Sequence, residues 1–170
     1  MKDFRIGNTL SPRNLDATAN LLIQPRLWIP TQRADYPGHL EWRDKALSEV
    51  ERASKIAMVA FWGDEEVGVC IYQRDPKDQN RVEIRNLSVE PSARGRGLAP
   101  FILRQVECEA PIDFPGTTIL IADVKRTNVE MTHFALQQGF SILDVTTLGG
   151  TFAHNGIEDV VLGKAVAAPA

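Results

Sequence analysis

The stretch Pro91-Ser92-Ala93-Arg94-Gly95-Arg96-Gly97-Leu98-Ala99 narrows the fold more than any other part of the chain. It lies between Arg81 to Glu90, which reads as a strand, and an apolar stripe of Leu98, Ile102, Val106 and Ala110 at helical spacing, ended by Pro111. In a strand–loop–helix unit the glycines let the backbone approach a ligand closely. The first helical N–H groups lack intrahelical partners, and the helix dipole adds partial positive charge. Such a loop is an anion cradle, and a phosphate ester fits it. Two phosphate-binding loops fail on spacing. A Walker loop needs Gly-Lys-Ser/Thr where this chain has Gly97-Leu98-Ala99, and a dinucleotide fingerprint needs a third glycine where Pro100 stands.

Around this unit the chain alternates short strands with helices. Asp3 to Gly7 reads as a first strand, and Ser11-Pro12 opens a helix with Leu15, Ala19, Leu22 and Ile23 on one face, closed by Pro25. Gln24 to His39 is a loop, and a second helix turns Leu40, Leu47, Val50 and Ala53 inward. Ile56 to Trp62 and Val67 to Tyr72 form an antiparallel hairpin across Gly63-Asp64-Glu65-Glu66. In the next strand Val82 and Ile84 share one parity, and Leu87 and Val89 the other. A β-bulge near Arg85-Asn86 would produce that slip, and so would a strand buried on both faces. Thr117 to Val124 is a strand. Asn128 to Gln138 is a helix with Met131, Phe134 and Ala135 inward, stopped by Gly139. Phe140 to Thr147 and Glu158 to Val166 are the last strands, joined by the Gly149 to Gly156 loop.

No repeat or linker divides the sequence, so residues 1–166 are expected to form a single domain with 167–170 as a frayed tail. Of 170 residues 44% are hydrophobic, enough for one substantial core. Nineteen basic against 22 acidic side chains give a formal charge of -3, which argues against a polyanion such as nucleic acid as partner. No apolar run is long enough to cross a bilayer, and Met1 to Leu10 lacks the apolar segment of a secretory signal, so no membrane association and a cytoplasmic location are expected. Cys70 and Cys108 have no metal-ligand spacing beside them; they are expected to be reduced, buried thiols, and no metal site is expected.

The segment Arg94-Gly95-Arg96-Gly97-Leu98-Ala99 resembles the R/Q-x-x-G-x-G/A signature of the GNAT acetyltransferase superfamily. The preceding Leu87-Ser88-Val89-Glu90-Pro91 looks like that family's strand, and Asn128 with Gly139-Phe140 resembles its next motif. The element order agrees across nearly the whole chain. The resemblance implies an α/β fold whose mixed, mostly antiparallel central sheet carries helices on both faces and a splayed strand pair at the cofactor site. It also implies acetyl-CoA as cosubstrate. The diphosphate would lie on Arg94, Gly95, Arg96, Gly97, Leu98 and Ala99, the pantetheine arm along Leu87, Ser88 and Val89, with Asn128 and Phe134 contributing. For Arg94 and Arg96 a solvated surface role stays open, and for Asn128 a helix cap.

Acetylating an amine requires removal of a proton from a group that titrates near 10.4 when it resembles lysine. Asp123 and Glu83 are the candidate bases, with ordinary surface or ion-paired carboxylates as the alternative for each. By resemblance the Val89 N–H would polarise the thioester carbonyl. The tyrosine that the family commonly carries seven residues after the asparagine is replaced by Ala135, and His133 points to another side of that helix. Arg26, Trp28, Arg33 and His154 are candidate acceptor contacts, with ordinary loop packing as the alternative. The resulting expectation is an N-acetyltransferase acting on a small-molecule or peptide amine, with a homodimer left open. The rival reading is a catalytically silent acyl-CoA sensor of the same fold.

Overall fold

The computed structural model describes residues 4–7, 12–23, 38–146 and 158–167. In chain order the elements are β1 (Phe4–Gly7), α1 (Pro12–Ile23), α2 (His39–Glu51), β2 (Ile56–Trp62), β3 (Glu65–Arg74), β4 (Arg81–Val89) and a 3-10 turn (Pro91–Ala93). There follow α3 (Leu98–Asp113), β5 (Ile119–Lys125), α4 (Val129–Gln137), β6 (Ser141–Thr146) and β7 (Asp159–Ala165). The strands form one sheet in the order β1-β2-β3-β4-β5-β7-β6. Every neighbouring pair is antiparallel except β4 and β5. The mixed sheet expected from sequence is present, and among the described residues no helix is long and apolar enough to cross a membrane.

Because successive side chains point to opposite faces, β2 and β3 are buried along most of their length. Ala57, Val59, Phe61, Val69 and Ile71 meet Ala17, Leu21, Leu22, Trp42, Ala46 and Val50 of α1 and α2. Met58, Ala60, Cys70 and Tyr72 project the other way and join Leu98, Ile102, Leu103 and Val106 of α3 in a second cluster, which also holds Ala135 and Leu162. The sheet thus carries helices on each face, and β2 and β3 need no polar side along their buried stretches.

The parity slip in β4 is a bulge. Ile71 pairs with Asn86 and Tyr72 with Ile84, leaving Arg85 as the extra residue. Val82, Ile84, Leu87 and Val89 therefore all pack on the α3 cluster. The strand keeps one apolar face across the slip.

Several expectations are corrected. The inner face of α2 is Trp42, Ala46 and Val50, with Leu47 partly buried; Leu40 is 55% exposed. Ala53 lies beyond the helix at φ 57. The i, i+4, i+8 row that contains Trp42 wins because it buries the largest side chain. Pro111 does not end α3, which runs on to Asp113. Near a helix end a proline forfeits one hydrogen bond, and the Phe114 N–H still reaches the Ala110 carbonyl at 2.9 Å. The hairpin turn is shorter than expected, since Trp62 and Glu65 already pair across Gly63-Asp64. Cys70 is buried as expected, and burial pushes its thiol up to about 12, but Cys108 is exposed on α3.

Candidate functional site

The parallel ladder between β4 and β5 runs only from Arg81 opposite Ile119 to Ile84 opposite Ala122. Beyond it, Arg85–Val89 and Asp123–Lys125 are not paired with each other, so the sheet opens towards the loop after β4. This is the splayed pair that the family resemblance implied. The hydrogen-bond alternation of an antiparallel pair then fixes what lines the β4 side. The Glu90 N–H donates to the Val67 carbonyl at 2.8 Å, so the N–H and C=O of Val89 turn away from β3, towards the opening. Two residues back along the same alternation, Leu87 does the same. Ser88 is turned the other way; its hydroxyl donates to Asn86 Oδ1 at 3.0 Å.

The loop itself is held at both ends by buried side chains, Ala93 and Leu98. Gly95 and Gly97 take φ of 71° and 78°, where a side chain is strained, and Gly97 is the N-cap of α3. A Cβ built on either glycine would meet no atom within 4 Å. The backbone therefore faces open space, and no side chain caps the first turn of α3. Free space, left-handed glycines and an uncapped helix start suit a diphosphate.

Both arginines of the loop have intramolecular contacts. Arg94 Nε donates to the Val89 carbonyl at 2.9 Å, tying the loop to the strand end. The Arg96 guanidinium stacks over the Trp62 ring with its carbon 4.3 Å from the centroid. Asn128 is the N-cap of α4, its Oδ1 accepting from the Met131 N–H at 3.2 Å, so the helix-cap role is present. Phe134 is partly buried against the core. Ala135, at the position where the family commonly carries a tyrosine, is 3% exposed.

The two candidate carboxylates lie beside the end of the ladder. Glu83 is 7% exposed; its Oε2 accepts from Gln73 Nε2 at 3.0 Å, and its Oε1 is ion-paired with Arg85. The ion-paired alternative thus describes Glu83. Asp123 is partly buried, and its acidity is altered: burial, then the negative charge of Glu83, push its pKa up to about 6, with Arg85 opposing and Asp159 and Asp75 adding to the rise. Next on the same side of β5, Lys125 is bonded to Asp159 of β7 at 3.0 Å, with both side chains buried.

Sequence reasoning did not find Trp62, Gln73, Lys125 or Asp159. Arg85 carries a sequence signal only through the parity slip beside it. Nothing local marks Trp62 as the stacking partner of a loop more than thirty residues away. Arg26, Trp28, Arg33 and His154, the acceptor-contact candidates, lie outside the described residues.

The profile described as "Acetyltransferase (GNAT) family" matches residues 19–140. Among solved structures, a protein from Desulfovibrio desulfuricans assigned to the GNAT family superposes with a TM-score of 0.74 at 17% identity, covering 97% of this chain and 100% of that one. A GNAT family acetyltransferase from Elizabethkingia anophelis, solved with acetyl-CoA bound, gives 0.65 at 17% identity over 98% and 100%. An aminoglycoside 6'-N-acetyltransferase complexed with coenzyme A gives 0.67 at 17% identity over 99% of each chain. No curated protein matches the sequence significantly.

Proposed function

The chain belongs to the acetyltransferase (GNAT) family, and from that premise we propose that it moves an acetyl group from acetyl-CoA to an amine of a small molecule or peptide by direct attack, in the cytoplasm. The observation that carries this reading is the divergence of β4 from β5 beside a loop whose glycines face open space.

In this reading the backbone N–H groups from Arg94 to Ala99 hold the diphosphate, with the dipole of α3 behind them. The Leu87 main-chain groups, turned towards the opening, take the pantetheine arm as a short strand addition, while the Val89 carbonyl is engaged by Arg94 Nε. The Asn128 amide and the Phe134 ring border it from α4. Acetyl-CoA, when bound, supplies an acyl group on a thiol leaving group. The Val89 N–H donates to the acyl oxygen as negative charge develops there.

Asp123 takes the proton from the attacking amine. A carboxyl held near 6 is ionised at neutral pH and is a stronger base than one at 3.8. Glu83 is already engaged by Arg85 and Gln73, which supports Asp123 over Glu83 for this role. With Ala135 buried, no acid stands where the tyrosine would. A thiol of pKa about 8.5 departs tolerably without one, so the reaction is slowed rather than blocked.

Calorimetry with acetyl-CoA, followed by free-thiol release across a panel of amines, tests the proposal. Saturable binding with turnover on at least one amine is expected. Absence of binding to folded protein would overturn it, and binding with no turnover on any amine would favour the sensor.

A further inference from the structure

The β4 bulge does more than preserve an apolar face. By inserting Arg85 between Ile84 and Asn86, it puts a guanidinium at the level where β4 and β5 part. The next residue of β5 beyond the last pair, Ile84 with Ala122, is Asp123. The Arg85 side chain is 33% exposed and folds back to form an ion pair with Glu83, two residues earlier on the same strand. Ordinary alternation allows such an i, i+2 contact, but without the extra residue the apolar face would not resume at Leu87 and Val89.

The surroundings show what this cation offsets. Glu83 on β4, Asp159 on β7 and Asp75 in the turn before β4 all act on Asp123 with negative charge. Lys125, two residues further along β5, is engaged with Asp159 at 3.0 Å. Arg85 is the positive group that acts on Asp123 in the opposite sense.

We propose that Arg85 is a positioning residue for acetyl transfer: it ties down Glu83 and offsets the negative charge gathered at the end of the β4/β5 ladder, so that the Asp123 carboxylate is kept ionised for proton removal. The proposal rests on Asp123 as the base. A guanidinium suits the task because it stays charged at every working pH and has donors to spare after one engages Glu83.

The experiment is the pH profile of kcat/KM for acetyl transfer in five forms: wild type, Arg85→Gln, Arg85→Lys, Glu83→Gln and Asp123→Asn. In the wild type the acid limb is expected near the Asp123 value of about 6. Arg85→Gln removes the opposing cation, so the limb should move upward by roughly one pH unit, a roughly tenfold loss of kcat/KM on the acid side that largely recovers at alkaline pH. Glu83→Gln removes an anion and should move the limb the other way. Arg85→Lys should stay near wild type.

Opposite shifts in the two variants support the proposal, because damage to folding has no reason to change sign with the charge removed. An unmoved limb in Arg85→Gln, or shifts in the same direction, overturns it. Asp123→Asn reports on the premise separately. If the limb survives there, the assignment of the base fails. If it vanishes while Arg85→Gln leaves the limb in place, only the role of Arg85 fails. Should Arg85→Gln not fold, the Glu83→Gln shift still tests the idea, and an unmoved limb there counts against it.

Discussion

The Arg96 guanidinium carbon sits 4.3 Å from the centre of the Trp62 ring, so the glycine loop after β4 is fastened to the end of β2, two strands away in the sheet. A cation–π contact of this kind contributes about 0.5–1 kcal/mol when partly exposed. If it serves to hold the loop in shape for a diphosphate, Trp62→Leu and Arg96→Ala should each weaken acetyl-CoA binding by roughly two- to fivefold. The double variant should be little worse than either single one. Titration calorimetry reads all three. A strong loss in Arg96→Ala with none in Trp62→Leu would show the guanidinium acting directly on the ligand.

Gly97→Ala places a Cβ on a backbone at φ 78°, at a cost of about 1–2 kcal/mol, and puts a methyl group where the ligand would approach. Gly116→Ala is the matched control: its φ is 88°, nothing lies within 4 Å, and it stands between α3 and β5, away from the loop. Both should lower the melting temperature by a few degrees. Only Gly97→Ala should also raise the Kd for acetyl-CoA, by roughly tenfold or more. Equal effects on binding would remove the loop from the cofactor site.

Asp123→Asn should abolish most transfer while making the fold more stable at neutral pH. The sign follows from proton linkage. The folded-state value is raised from 3.8 to about 6, so between those values the folded chain binds more protons than the unfolded one, and stability falls as pH rises through this window. An asparagine carries no such burden. Thermal melts at neutral pH should place the variant above wild type, and the gap should close below about pH 4. A variant less stable than wild type at both pH values would contradict the raised value.

Lys125→Met leaves Asp159 buried without its ammonium partner. Breaking a buried pair by removing one member costs about 3–5 kcal/mol, far more than the pair itself contributes. Denaturant unfolding should show that loss. Replacing both, as Lys125→Met with Asp159→Leu, should recover much of it, since two well-packed apolar side chains need no compensation.

Much of the candidate site was legible along the chain because its signals are local. Two glycines before a helix start suggest an anion cradle within a few residues of chain, and the parity change between Ile84 and Leu87 leaves either a bulge near Arg85-Asn86 or a strand buried on both faces, a choice made by the Ile71–Asn86 and Tyr72–Ile84 pairs. The face of α2 was misread because two apolar rows compete on one helix. Choosing Trp42 over Leu40 requires the sheet beneath them.

By itself, then, the sequence determined the elements, their order and the loop that faces the opening, since backbone preference and side-chain periodicity act over a few residues. Tertiary structure alone decided the insertion of β7 between β5 and β6, the parting of β4 from β5 after four pairs, and the neighbours that set the acidity of Asp123. Those depend on which distant segments share a low-dielectric space. Charge and burial act through that distance, and spacing along the chain carries no record of it.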